Sequence, residues 1–196
     1  MTMTDVIAPR RARLTDRWPT GLALVTVAGA IGLMALVDKE ALFFGPSVTV
    51  MAGIYMLAYV LGRPWTAWLA FAVMSTVMAG LHVLHILDVP GADPFVGIVV
   101  VVVLLWLVAV VLRRFRDGDT FSVQTGGMVL FAAVTLVCAA VAPRLGTALA
   151  GVGFLAHGVW DAYHFKVAKV VHRTWSEFCA VIDIPVGIAL LVVALV

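Results

Sequence analysis

The 196-residue chain is 63% hydrophobic and only 12% charged, with a formal net charge of +2 and a mean hydropathy of +1.11. A soluble domain carries about 25% charged residues, so this composition excludes a water-soluble globular protein and indicates an integral membrane protein. Membrane lipids are therefore the expected surroundings, and the small net charge gives no reason to expect nucleic acid as a partner. The two cysteines, Cys138 and Cys179, lie in separate apolar runs and form neither a metal-binding spacing nor a disulfide framework.

Residues 1–17 form a polar, basic segment that we expect to lie in the cytoplasm. Residues 18–196 are predicted to form a single all-α domain, a polytopic transmembrane bundle of about seven spans. The predicted spans are residues 21–37, 47–61, 65–87, 95–112, 123–142, 146–167 and 175–196. Each approaches the ~20 residues that cross a ~30 Å hydrocarbon core, although the second is short if Gly45-Pro46-Ser47 begins it.

The fourth span is an almost unbroken run of Val, Ile and Leu without polar side chains. A helix that is hydrophobic on all sides is either buried or in contact with lipid. Since this span has no polar residue to contribute to a site, we predict that it is the most lipid-exposed helix. Its bare apolar face is also compatible with a homo-oligomer.

The distribution of basic residues predicts the orientation. Seven crossings from a cytoplasmic N-terminus place eleven of the thirteen Lys and Arg residues inside and leave only Lys39 and Arg144 outside. The eleven are Arg10, Arg11, Arg13, Arg17, Arg63, Arg113, Arg114, Arg116, Lys166, Lys169 and Arg173. Cytoplasmic loops rich in basic residues are typical of multi-pass proteins, so we expect a multi-pass protein of the cell membrane. Removing one span scatters these charges over both sides, so the asymmetry also supports the number of spans.

The sixth and seventh spans carry ionisable residues at membrane depth. His157, Asp161 and His164 stand at i, i+4 and i+7, and therefore lie within an arc of roughly 60° on one helix face. At ~1.5 Å of rise per residue, His157 and Asp161 lie near the midplane, with Asp183 of the next span at a similar depth. Because charged groups at this depth are costly outside a functional site, we expect all four side chains to face the bundle interior.

Two imidazoles and a carboxylate on one helix face are residue types that zinc, iron and manganese bind. We therefore predict that His157, Asp161 and His164 bind a transition-metal ion. Asp161 and Asp183 are the candidate catalytic carboxylates, with Asp183 orienting a ligand or acting as acid or base. The corresponding hypothesis is a metal-dependent membrane enzyme that acts on a lipid-like or isoprenoid small molecule. A retinal protein is excluded because the last span has no lysine in its middle, and the chain contains neither a Walker loop nor a GxSxG motif.

Other interpretations of the same residues stay open. Asp161 can instead orient a neighbouring histidine in a hydrogen-bonded network that only stabilises the bundle. A small permease, a proton relay or an accessory membrane subunit would use the group without catalysis. His82 and His85 on the third span form a candidate haem-binding pair, with the haem lying between one of them and His157. The depth count, however, separates these two layers by about 10 Å.

Several aromatic residues lie near the predicted site or near the membrane surfaces. Between the two histidine layers, the second span offers Tyr55 and Tyr59. Tryptophans at span ends are predicted to anchor the helices at the membrane–water interface, and these are Trp18, Trp65, Trp68 and Trp175. Trp160 is the exception, because it adjoins Asp161 and is placed to line a pocket.

Overall fold

The computed structural model describes residues 17–36 and 40–196, which form seven α-helices and no strand. The helices are α1 (Trp18–Leu36), α2 (Glu40–Leu61), α3 (Ala67–Ile86), α4 (Pro94–Val111), α5 (Asp119–Ala140), α6 (Pro143–Val167) and α7 (Arg173–Leu195). Short 3-10 turns, Pro64–Thr66 and Arg114–Asp117, precede α3 and α5. The predicted all-α helical bundle is therefore confirmed.

Six of the seven helices are long and apolar enough to cross a membrane, and α6 is the exception. Its length of 25 residues is sufficient, but His157, Asp161 and His164 lower its hydropathy. All three of these side chains are buried against other helices. A bundle of apolar helices whose most polar helix faces the interior is the architecture of a membrane protein.

Most of the predicted basic N-terminal segment lies outside the described residues, as does Lys39. Arg17 is described, and its Nη1 lies 3.3 Å from Glu177 Oε1 at the beginning of α7. Thr20 in the first turn of α1 donates a hydrogen bond of 2.5 Å to the same oxygen. The beginning of α1 is thus attached to the beginning of α7.

The central helix of the bundle is α2. Within its span 72% of the residues are buried, compared with 17–39% in the other five apolar spans. It packs against α3, α4, α5 and α6, whereas α1 packs mainly against α7. Any polar side chain on the inner part of α2 therefore faces other helices, and this position brings Tyr55 to the site described below.

The second helix begins at Glu40 and continues through Pro46, so the prediction that Gly45-Pro46-Ser47 breaks the chain and begins this helix is wrong. A proline inside a helix removes one backbone hydrogen bond, which membrane helices tolerate when they pack against neighbours. Two hydroxyl groups donate to backbone carbonyl oxygens beside this proline. Ser47 Oγ donates to Phe43 O at 2.9 Å, and Thr135 Oγ1 of α5 donates to Gly45 O at 2.9 Å.

The prediction that the fourth helix is the most lipid-exposed is also wrong. Within its span 28% of the residues are buried, compared with 22% for α1 and 17% for the segment Pro64–Ile86 that contains α3. One face of α4 packs against α2 through Phe95, Ile98 and Val102, which are at most 8% exposed. A uniformly apolar sequence does not distinguish this protein-facing side from the lipid-facing side, because Val and Ile fit both.

The pair α6 and α7 packs more extensively than any other pair of described helices. At Gly151 and Gly187 the two backbones approach so closely that a Cβ atom on either would lie 2.9 Å from the carbonyl oxygen of the other. Small residues permit this kind of contact between membrane helices. Ala168, with a φ of 50°, ends α6 and turns the chain into the short connection to α7. The hairpin therefore brings the polar face of α6 directly against α7.

Candidate functional site

A buried group of three ionisable side chains lies between α6 and α7. His157 and Asp161 are fully buried, and Asp183 is 2% exposed. His157 Nδ1 lies 2.8 Å from Asp183 Oδ2 and 3.4 Å from Asp161 Oδ2. One ligand atom from each residue lies within 4.8 Å of the others. The expectation that the polar face of α6 turns inward, with Asp183 opposite, is confirmed.

Tyr55 of α2 holds the group from a third helix. Its hydroxyl donates to Asp161 Oδ1 at 2.5 Å and lies 3.5 Å from Ser176 Oγ. The Tyr55 ring also packs edge-on against His157, with 5.6 Å between the ring centroids. Because Oδ1 accepts this hydrogen bond, the carboxylate is oriented with Oδ2 towards His157. Tyr55 thus fixes the orientation of the Asp161 carboxylate.

Two atoms of the group lack a hydrogen-bond partner among the described residues, namely His157 Nε2 and Asp161 Oδ2. Buried polar atoms in folded proteins almost always have one, and each exception calls for an explanation such as a water molecule or an ion. No lysine or arginine among residues 17–36 and 40–196 forms an ion pair with Asp161 or Asp183. The group therefore contains two carboxylates and one imidazole, and no lysine or arginine of the described residues pairs with them.

His164 is buried but has other partners. Its Nε2 lies 2.9 Å from Gln124 Nε2 of α5, and its Nδ1 lies 3.0 Å from Trp160 O. The assignment that satisfies both contacts has Nδ1–H donating to the carbonyl oxygen and Nε2 accepting from the amide. Of the three predicted metal ligands, the structure therefore brings together His157 and Asp161, and it pairs His164 with Gln124 instead.

His82 and His85 lie near the end of α3 and take no part in the buried group. His85 is exposed, and its Nδ1 is 3.1 Å from Ala92 O in the following turn. His82 is half-buried, and its ring centroid lies 5.1 Å from that of Phe43. Both imidazoles thus contact residues near their own end of the bundle.

The tryptophans differ in their exposure, and Trp68, a predicted anchor, is half-buried. Trp18 and Trp65 are at least 50% exposed, in agreement with their predicted position at an interface. Trp175 was predicted to be an anchor as well, but it is fully buried. Trp160 packs against the aromatic and imidazole rings around the site, which are those of Tyr55, Phe131, Tyr163 and His164. Trp160 therefore forms one wall of the site, as its position next to Asp161 in the sequence suggested.

Sequence reasoning assigned no role to three residues that contact this region, Tyr55, Gln124 and Ser176. Gln124 gave no clear signal, because it is the second residue of the predicted fifth span and has polar neighbours, so an amide there can also face the interface. Tyr55 and Ser176 gave none either, because tyrosine and serine are common in membrane helices whether or not they have a role.

Two cavities reach the polar residues from different sides. One, of about 260 Å³, lies among α1, α2, α3 and α7 and is lined by Asp183. The other, of about 210 Å³, lies at the ends of α5 and α6 and is lined by Gln124, His164 and Lys169. A larger cavity of about 640 Å³ beside Arg144 touches none of the buried group. Asp183 therefore contacts both His157 and a cavity, and is the group's connection to its surroundings.

The geometry offers three chemical roles for the buried group: metal binding, proton transfer and structural hydrogen bonding. Each is consistent with one imidazole between two carboxylates. Resemblance to other proteins does not help to choose among them. The chain matches no protein-family model, no curated protein and no solved structure.

Proposed function

We propose that the chain is a metal-dependent membrane enzyme, and that His157, Asp161 and Asp183 bind one divalent transition-metal ion. The observation that carries this proposal is the contact of two buried carboxylates with one imidazole, without a lysine or arginine paired to them among the described residues. Zinc, iron and manganese all bind ligand sets made of imidazole and carboxylate.

The charges of the group favour a cation. Without a cation, the two buried carboxylates must be balanced by protons on the imidazole or on the carboxylates themselves, because uncompensated charge in an apolar bundle is costly. A divalent cation balances both charges. It also gives Asp161 Oδ2, which has no hydrogen-bond partner, a favourable contact.

The distances are also suitable for one ion. Metal–ligand distances of about 2.0–2.2 Å place the ligand atoms of one ion roughly 3–4 Å apart. The contacts of His157 Nδ1 with the two carboxylates are 2.8 and 3.4 Å, so small side-chain movements suffice. The hydrogen bond from Tyr55 to Asp161 supplies the outer support that metal-binding carboxylates ordinarily have.

The position of Asp183 supports an enzyme rather than a purely structural ion. Catalytic zinc sites use three protein ligands and leave one position for water or substrate, and this group has three ligands. Asp183 also lines a largely apolar cavity, so a lipid-like molecule in that cavity would reach the group. Asp161 and Asp183 are the candidate catalytic carboxylates on this proposal.

Metal analysis of the purified protein tests the proposal. Protein extracted in detergent without chelator is expected to contain about one equivalent of zinc, iron or manganese, measured by inductively coupled plasma mass spectrometry. Asp119→Asn, which changes an exposed carboxylate outside the group, is expected to leave that content unchanged. Well-folded protein without stoichiometric metal would overturn the proposal, and a Soret band in the visible spectrum would point to haem instead.

A proton relay is the second candidate function. The observation that favours it is a continuous series of polar contacts from Tyr55 through Asp161 and His157 to Asp183, at 2.5, 3.4 and 2.8 Å. On this alternative the chain is a small permease, a proton-coupled carrier or an accessory subunit without catalysis. Protons rather than a metal ion then balance the buried carboxylates, so the metal analysis separates the two functions.

We further propose that all seven helices cross the cell membrane, with the basic loops in the cytoplasm and the C-terminus outside. The basic asymmetry of the sequence supports this orientation. Alkaline phosphatase fused to the C-terminus is accordingly expected to be active, and a fused green fluorescent protein to be dark. The reverse pattern would contradict the orientation, or the transmembrane position of α6.

A further inference from the structure

We propose that the cavity beside Asp183 binds the apolar chain of the substrate, and that it selects a molecule whose polar end is uncharged. Long-chain alcohols and amides belong to this class, whereas fatty acids and lipid phosphates do not. This inference rests on the proposed enzymatic function and specifies its substrate class.

The cavity opens sideways, between α1 and α3. Its rim includes Thr26 of α1 and Phe71 of α3, both exposed, whereas Asp183 at its inner end is 2% exposed. At one end of this opening, α1 and α3 meet through Trp18 and Trp68, whose ring centroids are 5.2 Å apart. Both helices belong to the least buried part of the bundle. A molecule dissolved in the bilayer can therefore reach Asp183 without crossing water.

The lining is that of a site for an apolar chain. Most of the side chains around the cavity are aliphatic, aromatic or thioether groups, among them Met51, Ile54, Met78 and Phe178. Its volume of about 260 Å³ is slightly below the range for sites that bind whole small molecules, about 300–1,000 Å³. It therefore accommodates the part of the chain next to the polar end, and the remainder extends into the bilayer.

The polar groups of the lining determine which head group fits. Besides Asp183, the polar groups of the lining residues are the thiol of Cys179, the hydroxyl groups of Thr26, Ser47 and Ser75, and the indole N–H of Trp175, which has no hydrogen-bond partner among the described residues. No lysine, arginine or histidine is among the described residues that line it. With a divalent cation bound, its charge is already balanced by Asp161 and Asp183, so a phosphate or carboxylate would bring a negative charge that no lining residue compensates, which is unfavourable. A hydroxyl or amide is uncharged and can donate a hydrogen bond to the Asp183 carboxylate.

Photolabelling of the full-length protein tests this assignment. The probe is a long-chain fatty alcohol with a diazirine in its chain, compared with the fatty acid of the same length. The alcohol is expected to label peptides that contain Phe71, Ser75 or Phe178, and the acid to label them roughly tenfold less.

Two neighbouring residues of α3 provide a matched pair of variants. Ser75 lines the cavity and is half-buried, whereas Thr76 is exposed on the outside of the helix. Ser75→Phe is expected to reduce labelling by the alcohol roughly tenfold, whereas Thr76→Phe leaves it unchanged. Thr26→Phe narrows the cavity from α1 and serves as a second blocking variant if Ser75→Phe does not fold.

The metal content of each sample separates this inference from the proposed function. Loss of labelling in the blocking variants with metal retained supports the inference. If labelling is distributed over the lipid-facing helices and neither blocking variant changes it, the inference is wrong, whether or not metal is bound. Equal labelling by the alcohol and the acid overturns the assignment of the head group. Specific labelling of a protein that lacks metal supports the chain-binding cavity and overturns only the enzymatic proposal.

Discussion

Asp183→Asn is expected to lower the affinity of the protein for its metal ion by more than about 100-fold, and Asp161→Asn to do the same. Loss of a residue that merely supports a metal ligand already costs about 10–100-fold. Each asparagine keeps the size and the hydrogen bonding of the aspartate but removes a charged ligand. Affinity is measured by competition with a chelating dye, followed by elemental analysis of the dialysed protein.

Two controls locate this effect at the buried group. Tyr55→Phe removes the hydrogen bond to Asp161 without removing a ligand, so we expect a smaller loss of about tenfold. Asp119→Asn is expected to bind metal like the wild type, because this carboxylate is exposed and does not belong to the group. If Asp161→Asn retains its full metal content and activity, then Asp161 is not a ligand and the proposed centre is wrong.

Removal of the metal ion is expected to destabilise the wild-type protein strongly. A ligand that binds only the folded state, present at 1,000 times its dissociation constant, contributes about 4 kcal/mol to the free energy of unfolding. Chelation removes this contribution and leaves the two carboxylates without a compensating cation, so part of the loss reflects their buried charge. Denaturant unfolding in detergent, with and without chelator and after metal is restored, measures the difference.

A variant that carries both Asp161→Asn and Asp183→Asn is the appropriate comparison for this experiment. It removes the two buried charges, so its free energy of unfolding is expected to be independent of chelator. Without metal it should be at least as stable as the metal-free wild type, because neutral groups replace uncompensated charges. A wild-type protein whose unfolding does not respond to chelator would speak against a structural contribution of any ion.

The helices themselves were predictable because hydropathy reports on the segments that leave water. The inward face of α6 was predictable for a related reason, since His157 and Asp161 cannot face lipid without a large cost. Their contact with Asp183 followed from the short connection between α6 and α7, which makes these helices neighbours, and from the similar depth of the three residues. These inferences needed only the spacing of residues along one or two helices.

The remainder depends on contacts between distant parts of the chain. Gly45-Pro46-Ser47 appeared to begin the second helix, but the helix begins at Glu40 and continues through Pro46, where it packs against α5 and Thr135 donates to Gly45 O. His164 lies within the predicted arc of α6, yet its ring pairs with Gln124 because α5 packs against that end of the arc. The lipid exposure of α4 was overestimated because an unbroken run of Val and Ile suits a protein contact as well as a lipid contact. In each case the missing information was the identity of the neighbouring helix.

The close approach of α6 and α7 at Gly151 and Gly187 also bears on discrimination between cations by their radius. Calcium requires six to eight oxygen ligands at about 2.3–2.6 Å, a larger and more crowded sphere than the one around zinc. A wider space between His157 and Asp183 requires α6 and α7 to move apart, which breaks the close backbone contact at the two glycines. Gly187 is only one helical turn from Asp183, so this contact opposes the separation of the helices close to the proposed ligands. If the proposed metal site is correct, we therefore expect its preference for a small ion to depend on two glycines that do not contact the ion.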